Sequence, residues 1–475
     1  MANINDLTNV EITGLSKNAF WDAPIKVSGE DPAGALKNAN TNVSGYLSYL
    51  TNQLKATNED LLKYFDNQFT IVSDAYGDDA TAELYNIEKP FKTFKAAFDA
   101  LDDDGLLLIK DGVFVLFGGD LPDTYGSKTA NIYINEGAAL QINTAATFEN
   151  CTIRFFGSGL VHGNVTVREG GDFEVYVREF DCIGDFLMHG GNIVVNVDEI
   201  SLGGFQKTDG EVTIPSQAIV SANKMRLGRI FRAFRPSNDR TLTNVDVKIR
   251  VNHLVLNSEP LVFDVREMQN INVSVEAEKI EQINAIKFFS LFEASGTRPI
   301  KNNQFIIKCK ELLVGTSFFG DFVRSSGTAS NFFNNNFIVE ADYCKAPDGL
   351  NLFMSSTSAK FYTNAGGEQF SFTFKGNFVS ESLPLINLAN NLALNMVFEG
   401  KFQVFQDGVS AFQTTAGVVT NNRLNFSGCE IRNTGAAPIS FAAATEVVVV
   451  KDARITNTVN ANVNVTETQG SFLVY

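Results

Sequence analysis

The chain has 475 residues, of which 44% are hydrophobic and 19% are charged, so most of it should fold around a hydrophobic core. Its 38 basic and 54 acidic residues give a formal net charge of −16, which argues against a general binder of nucleic acid or of anionic membranes. No apolar run approaches the roughly 20 residues that a membrane helix needs, so membrane insertion is not expected.

The N-terminal sequence MANINDLTNVEITG has neither the basic region nor the apolar region of a classical secretion signal. The five cysteines are scattered and never form a CxxC pair, a pattern typical of free thiols in a chain made in a reducing cytosol. The sequence shows no GxSxG motif, no P-loop and no Cys/His constellation. We therefore expect no cofactor.

The first third of the chain divides into two predicted segments. Residues 1–38 show no repeat and indicate a small or extended module. Residues 39–70 then carry apolar residues at alternating spacings of four and three, which predicts a coiled coil, although Thr57 and Gln68 weaken the pattern. An amphipathic helix that packs on the same chain is equally compatible with it. The predicted oligomerisation residues are Val43, Leu47, Leu50, Leu54 and Leu61.

Residues 71–105 contain the next predicted element, a short helix. The sequence KPFKTFKAAFDALDDDGLLLIKDGVFVL begins at Lys89. Phe91, Phe94, Phe98 and Leu101 recur at helical spacing, and Pro90 suits a first helical turn. The run Asp102-Asp103-Asp104-Gly105 should end the helix, and two short apolar runs follow that are separated by a turn at residues 110–112.

The pattern KPF-T--AA-DA---G---I-DG-F in this stretch resembles the opening of right-handed parallel β-helix proteins of the pectate-lyase-like superfamily, which include many phage tail spikes and fibres. In those proteins the helix covers the open end of the first coil. The resemblance covers about thirty residues, and it implies an architecture and not an activity. Because such fibres are commonly homotrimers, it also favours a trimeric coiled coil over residues 39–70.

Fourteen copies of an eight-residue template follow, as such a fold requires. Positions one and three are apolar in every copy, as expected of strands with one buried face. The copies begin at Leu107, Ile132, Ile153, Phe173, Val195, Val220, Val247, Val273, Phe305, Phe337, Phe372, Met396, Leu424 and Val448. The predicted fold is all-β: a single-stranded right-handed parallel β-helix of about 14 coils over residues 106–456, with a C-terminal cap over 457–475.

Position four of the template supports the register, because its charge alternates through six successive copies. Stacked copies would place these side chains about 4.8 Å apart, where opposite charges attract and like charges repel. The predicted column consists of Arg250, Glu276, Lys308, Glu340, Lys375 and Glu399. Asparagines cluster before many copies and indicate corners, where they could also form amide ladders.

Two groups of polar residues are candidate sites. Asp181, Asp185, Asp198 and Glu199 fall in adjacent copies and could converge as the acid and base of a polysaccharide depolymerase, although 54 acidic residues yield such groups by chance. A basic segment contains Lys224, Arg226, Arg229, Arg232 and Arg235. It could be a solvated face or could bind an acidic glycan or protein. The three histidines lack metal-ligand spacing, so no metal site is expected.

These observations favour a structural virion protein of a phage, a tail or head fibre or spike. We expect it to be made in the host cytoplasm, to contact other tail or capsid proteins through its N-terminus, and to present a β-helix rod to the host surface, where it could bind polysaccharide. The alternative is a β-helix depolymerase, a glycosidase or lyase, that acts on a host surface glycan. A cell-surface adhesin is a third possibility, disfavoured because the chain shows no secretion signal.

Overall fold

The computed structural model divides the chain into two compact units, Met1–Phe69 with Tyr85–Glu88, and Thr70–Leu84 with Lys89–Tyr475. The structure describes residues 9–12, 24–28, 40–42, 69–116, 129–142, 147–163, 165–206, 215–228, 231–232, 241–256, 262–263, 267–283, 300–315, 332–348, 370–388, 394–409, 411–414, 423–426, 429–433, 439–440, 446–450, 454–457 and 470–474. The predicted oligomerisation residues between Val43 and Leu61 lie outside these ranges.

In the first unit, three strands form an antiparallel sheet: β1 (Asn9–Ile12), β2 (Pro24–Ser28) and β3 (Asn40–Asn42). The first two strands fall within residues 1–38, for which the sequence predicts a separate module.

Strand β4 (Phe69–Ser73) belongs to the second unit from Thr70 onward, and the helix α1 (Phe94–Ala100) follows it. The helix begins later than the sequence predicts, because the Thr93 side chain caps it by accepting a hydrogen bond from the Ala96 amide. Pro90 therefore precedes the helix, and Phe91 forms a parallel bridge with Val72 instead of a first helical turn. Phe94 and Phe98 are buried in one core with the first strands of the repeat.

After the helix, the described residues of the second unit form a long series of strands. The first group comprises β5 (Gly105–Asp111), β6 (Val113–Leu116), β7 (Thr129–Ile134), β8 (Ala139–Ile142), β9 (Thr147–Phe148), β10 (Thr152–Gly163), β11 (Val165–Arg168), β12 (Asp172–His189), β13 (Gly191–Gln206), β14 (Ser216–Leu227) and β15 (Phe231–Arg232). The second group comprises β16 (Thr241–Leu256), β17 (Val262–Phe263), β18 (Glu267–Gln282), β19 (Ile300–Leu313), β20 (Phe332–Lys345), β21 (Phe370–Ser380), β22 (Ile386–Leu388), β23 (Leu394–Val404), β24 (Phe412–Thr414), β25 (Arg423–Asn425), β26 (Glu430–Asn433), β27 (Ile439–Ser440), β28 (Glu446–Val450), β29 (Arg454–Asn457) and β30 (Gly470–Val474).

These strands pair in parallel on three faces, which confirms the predicted right-handed parallel β-helix. The first face contains β5, β7, β10, β12, β13, β14, β16, β18, β19, β20, β21, β23, β25, β28 and β30 in unbroken order. The longer strands bend and continue into the second face, where β6 and β8 precede them and β26 and β29 follow. Shorter pairings, such as β9 with β11 and β22 with β24, form the third face.

The sequence placed all fourteen template copies on strands of the first face, but the register between copies is wrong at three junctions. Ile132 pairs with Phe155, Phe173 with Ile193, and Val220 with Ile249, so the expected partner is displaced by two residues each time. A displacement of two keeps the same side chains inward, so the period-two hydrophobic pattern cannot detect it.

The core consists of vertical columns of apolar side chains, with phenylalanine prominent in the later coils. The rings of Phe305, Phe337 and Phe372 stack with centroid separations of 5.0 and 5.1 Å. Phe374, Phe398 and Phe426 form a second stack, with separations of 5.7 and 4.8 Å. Among the described residues, phenylalanine therefore serves as packing material between coils.

Asparagines at one corner form the amide ladder that the sequence raised as a possibility. Asn244, Asn270, Asn302 and Asn334 all have positive φ, between 52° and 59°. The side-chain amides of Asn270, Asn302 and Asn334 each donate to the side-chain carbonyl of the asparagine one coil earlier, over 2.8, 3.2 and 3.3 Å. Asparagine tolerates the left-handed backbone that this corner requires, and the ladder ties successive corners together.

The last strand that the structure describes, β30, belongs to the first face. Gly470–Val474 pairs with Glu446–Val450 in parallel, so the parallel pattern continues into the region for which the sequence predicts a cap.

Candidate functional site

The predicted charge column lies on the outer side of the first face. Its members occupy directly paired positions on successive strands: Arg250, Glu276, Lys308, Glu340, Lys375 and Glu399. The six side chains form three ion pairs. These are Arg250 with Glu276 at 3.3 Å, Lys308 with Glu340 at 3.1 Å, and Lys375 with Glu399 at 3.6 Å. Every member of the column therefore has a partner, and each exposed pair contributes little, about 0.2–1 kcal/mol.

A groove of about 670 Å³ runs beside this column, at the bend between the first and second faces. Its floor is made of small or short side chains on successive strands: Ala222, Val251, Ala277, Cys309, Ala341 and Gly376. Glu278, Lys310 and Asp342 line its other side. Because Lys310 also forms an ion pair with Glu278, the charges on both sides are largely matched within the chain.

A second, smaller depression of about 260 Å³ lies on the second face. Three successive strands, β12, β13 and β14, each contribute two outward residues that are two positions apart. These pairs are Glu179 with Asp181, Glu199 with Ser201, and Lys224 with Arg226. We call these six residues the second-face depression.

The register aligns the depression in two columns. Glu179 pairs with Glu199, and Glu199 with Lys224. Beside them, Asp181 pairs with Ser201, and Ser201 with Arg226. Two acidic strands are thus followed by one basic strand, with spacings of about 4.8 Å between strands and about 6.6 Å along each strand.

The charges of the second-face depression are not paired with one another. Among the residues that the structure describes, none of Glu179, Asp181, Glu199, Lys224 and Arg226 makes an ion pair or a side-chain hydrogen bond. Elsewhere on the β-helix, opposite charges on paired positions form ion pairs in several places, as between Arg154 and Glu174 at 3.3 Å. The depression therefore offers five charged groups to solvent or to a ligand.

The depression joins two groups of residues that the sequence treats as separate candidates. Asp181 and Glu199 come from the proposed carboxylates, and Lys224 and Arg226 from the basic segment. Glu179 and Ser201 were missed. The signal that could have found them is the repeated pair of polar residues two positions apart at the same point of three consecutive copies.

The remaining candidates do not line the depression. Asp198 is exposed at the bend, between the paired positions Val197 and Glu199. The backbone of Asp185 pairs with Gly204, and the structure does not describe its side chain. Arg232 lies in β15, where only the backbone is described. Arg229 and Arg235 lie outside the described residues.

The histidines and cysteines are dispersed through the β-helix. His253 contacts Glu281 at 3.3 Å, and a hydrogen bond from Lys279 is the main reason that the pKa of Glu281 lies below its ordinary value. Burial raises the pKa of the Cys151, Cys309 and Cys429 thiols to about 12 in each case, which disfavours the reactive thiolate. In the part of the chain that the structure describes, no three metal-ligating residues form a group that could hold an ion.

No known protein family, curated protein or solved structure matches this chain. Within the described residues, no helix has the length and apolar character needed to cross a membrane.

Proposed function

We propose that the chain is a structural virion protein of a phage, a tail or head fibre or spike. It attaches to the particle through residues 1–38, trimerises through residues 39–70, and presents its β-helix for contact with the host surface. The observation that carries this proposal is the unbroken parallel pairing from β5 to β30. A fold in which every coil pairs its backbone with the next is suited to a mechanical role, because stiffness and protease resistance follow without disulfides.

Three features support a load-carrying role for the stack. Phenylalanine rings stack between coils, an asparagine ladder ties the corners, and the outer charges are matched from strand to strand. The helix α1 buries Phe94 and Phe98 in the core, as the resemblance to β-helix spikes implies for a helix that covers the first coil.

Immunogold electron microscopy of purified particles tests this proposal. Antibodies raised against the full chain should label the tail or the head surface of particles produced from a genome that carries the gene. Deletion of residues 1–38 should abolish incorporation while the β-helix still folds, as judged by circular dichroism. Particles that lack the protein altogether would overturn the proposal.

A second candidate function is a polysaccharide depolymerase, which the proximity of Asp181 and Glu199 favours. Strand geometry separates their Cα atoms by about 8 Å. From that backbone spacing, the two outward side chains can reach the carboxyl separation of about 6.5–9.5 Å that inverting glycosidases use. If the chain cleaves a host glycan, Asp181→Asn and Glu199→Gln should each abolish turnover, while Glu399→Gln should not. Absence of cleavage across a broad glycan panel would refute the depolymerase and leave only the structural role.

A further inference from the structure

The second-face depression contains a pairing of like charges that the charge column of the first face avoids. The charge column on the first face alternates in sign, and each member has a partner. In the depression, Glu179 is paired directly with Glu199, a like-charge contact that destabilises a sheet. Glu199 and Lys224 occupy paired positions without closing an ion pair among the described residues. A conflict of this kind points to a requirement other than folding.

The arrangement of the charges specifies the chemistry of a ligand. Glu179, Glu199 and Asp181 form an acidic end that suits a cation. Lys224 and Arg226 form a basic end, in which the guanidinium can bind a phosphate or carboxylate through two hydrogen bonds. One strand spacing, about 4.8 Å, separates the two ends. From this geometry we propose that the depression binds a zwitterionic group whose cation and anion are about one strand spacing apart, which goes beyond the structural role proposed above.

The lining residues further specify the cation. Quaternary ammonium groups are recognised by aromatic cages. Among the described lining residues, Phe180 is the only aromatic one, and its ring is buried in the core against Phe173 and Phe186. The acidic end consists of carboxylates, which accept hydrogen bonds. A primary ammonium group can donate those bonds and a quaternary one cannot. The ligand class is therefore a primary amine linked to a phosphate or carboxylate, such as a phosphoethanolamine group.

Titration calorimetry of the full chain with phosphoethanolamine tests this proposal. We expect saturable binding with a dissociation constant of about 1 mM or tighter. Phosphocholine, ethanolamine and inorganic phosphate should each bind at least fivefold more weakly, because each loses one of the two recognised groups or its N–H donors. Arg226→Ala and Glu199→Gln should each raise the dissociation constant for phosphoethanolamine at least fivefold.

Matched controls come from the first face. Lys375→Ala and Glu399→Gln remove exposed charges of the same kinds and should leave the dissociation constant within twofold of the wild-type value. Circular dichroism should show the same fold for all four variants, since every substituted side chain faces outward.

Three results would overturn the proposal. The wild-type chain could show no binding of phosphoethanolamine, the depression variants could bind it as tightly as the wild type, or the wild type could bind inorganic phosphate or phosphocholine as tightly as phosphoethanolamine.

Sedimentation with vesicles of phosphatidylethanolamine and phosphatidylcholine identifies the source of the group. Vesicle binding that depends on Arg226 assigns a lipid headgroup, and binding of only the soluble probe assigns a free or glycan-linked group. The particle-labelling experiment is independent of these results, so the structural role and the ligand site can fail separately.

Discussion

At the scale of single residues, positions at the corners and in the first coil depend on the backbone conformation or the side-chain hydrogen bonds of one residue. At the asparagine corner, Asn302 has φ of 57° and bonds the amides one coil before and one coil after it. The left-handed backbone is the dominant demand, because it strains any residue with a Cβ unless the side chain compensates locally.

Asn302→Ala should therefore destabilise the adjoining strands by about 1 kcal/mol more than Asn302→Gly, which also loses the amide but accepts positive φ. Hydrogen exchange of the backbone amides of β18 and β19 measures the difference. Equal protection in the two variants would show that the ladder, and not the backbone conformation, selects asparagine here.

Asp111 ties the first coil to the segment that precedes the helix. Its carboxylate accepts hydrogen bonds from the Ser73 hydroxyl at 2.8 Å and the Ala75 amide at 3.1 Å. Partial burial raises the pKa of Asp111, but the hydrogen bonds from Ala75, Ser73 and Asp74 together outweigh it, so the pKa lies below its ordinary value. The carboxylate therefore stabilises the fold above its unfolded pKa of about 3.9 and loses that contribution as the pH falls through the folded value.

Between pH 6 and pH 3, the wild-type chain should lose protection of the β5 amides more steeply than Asp111→Asn, which lacks the titrating group. Asp407→Asn, at an exposed site away from this network, should follow the wild-type profile. If the β5 amides of wild type and Asp111→Asn lose protection equally steeply as the pH falls, the role of this carboxylate is refuted.

At the scale of elements, the bends of the long strands determine how closely successive coils approach. Gly376 has φ of 129°, and a Cβ there would lie 1.7 Å from the Ala341 carbonyl oxygen on the neighbouring strand. Because that atom belongs to the backbone, the strand itself would have to move.

Gly376→Ala should destabilise the fold by about 3 kcal/mol or more, through a clash with a fixed backbone atom. Gly408 is a matched control, since it has φ of 76° and no atom within 4 Å of an added Cβ. Gly408→Ala should cost only about 1 kcal/mol, from backbone strain alone. Chemical denaturation followed by circular dichroism measures both, and similar losses would contradict the close approach at Gly376.

The sequence identified strands better than it identified their register. Alternating apolar residues gave all fourteen copies, because burial of one face leaves a period-two pattern. The same pattern left displacements by two residues undetected at Ile153, Val195 and Val247, since inward and outward positions are unchanged. The register predicted for the charge column was correct. A displacement by two residues would have moved the charges of the Arg250 to Glu399 series out of line, so their alternating signs specify one register where the hydrophobic pattern does not.

The candidate site was predictable only in part for a related reason. Asp181 and Glu199 drew attention as acids in adjacent copies, and Lys224 and Arg226 as members of a basic run along the chain. Their convergence depends on pairing across three strands, including the Phe173 to Val195 junction where the expected register was displaced. Sequence spacing alone therefore could not join the acidic and basic groups into one depression.

At the scale of the whole molecule, the proposed fibre requires association of chains. Heptad spacing from Val43 to Leu61 predicts a coiled coil, and the resemblance to phage spikes predicts that it contains three helices, one from each chain of a trimer. Light scattering of the full chain should give a mass near three times 51.9 kDa. Substitution of Leu47, Leu50 and Leu54 by Ser should reduce it to the monomer mass, and a monomeric wild-type chain would refute the trimer.

The central claim is that successive coils stack in one register, so that equivalent positions form a vertical column. Pulsed electron spin resonance measures this directly on chains with two nitroxide labels, one at position 250 and one at 340, 375 or 399. To avoid distances between chains, the doubly labelled protein is diluted with unlabelled protein. With about 4.8 Å per strand, the backbone separations should increase through about 14, 19 and 24 Å. Distances that do not increase by one constant step per strand would contradict the stack and the mechanical role inferred from it.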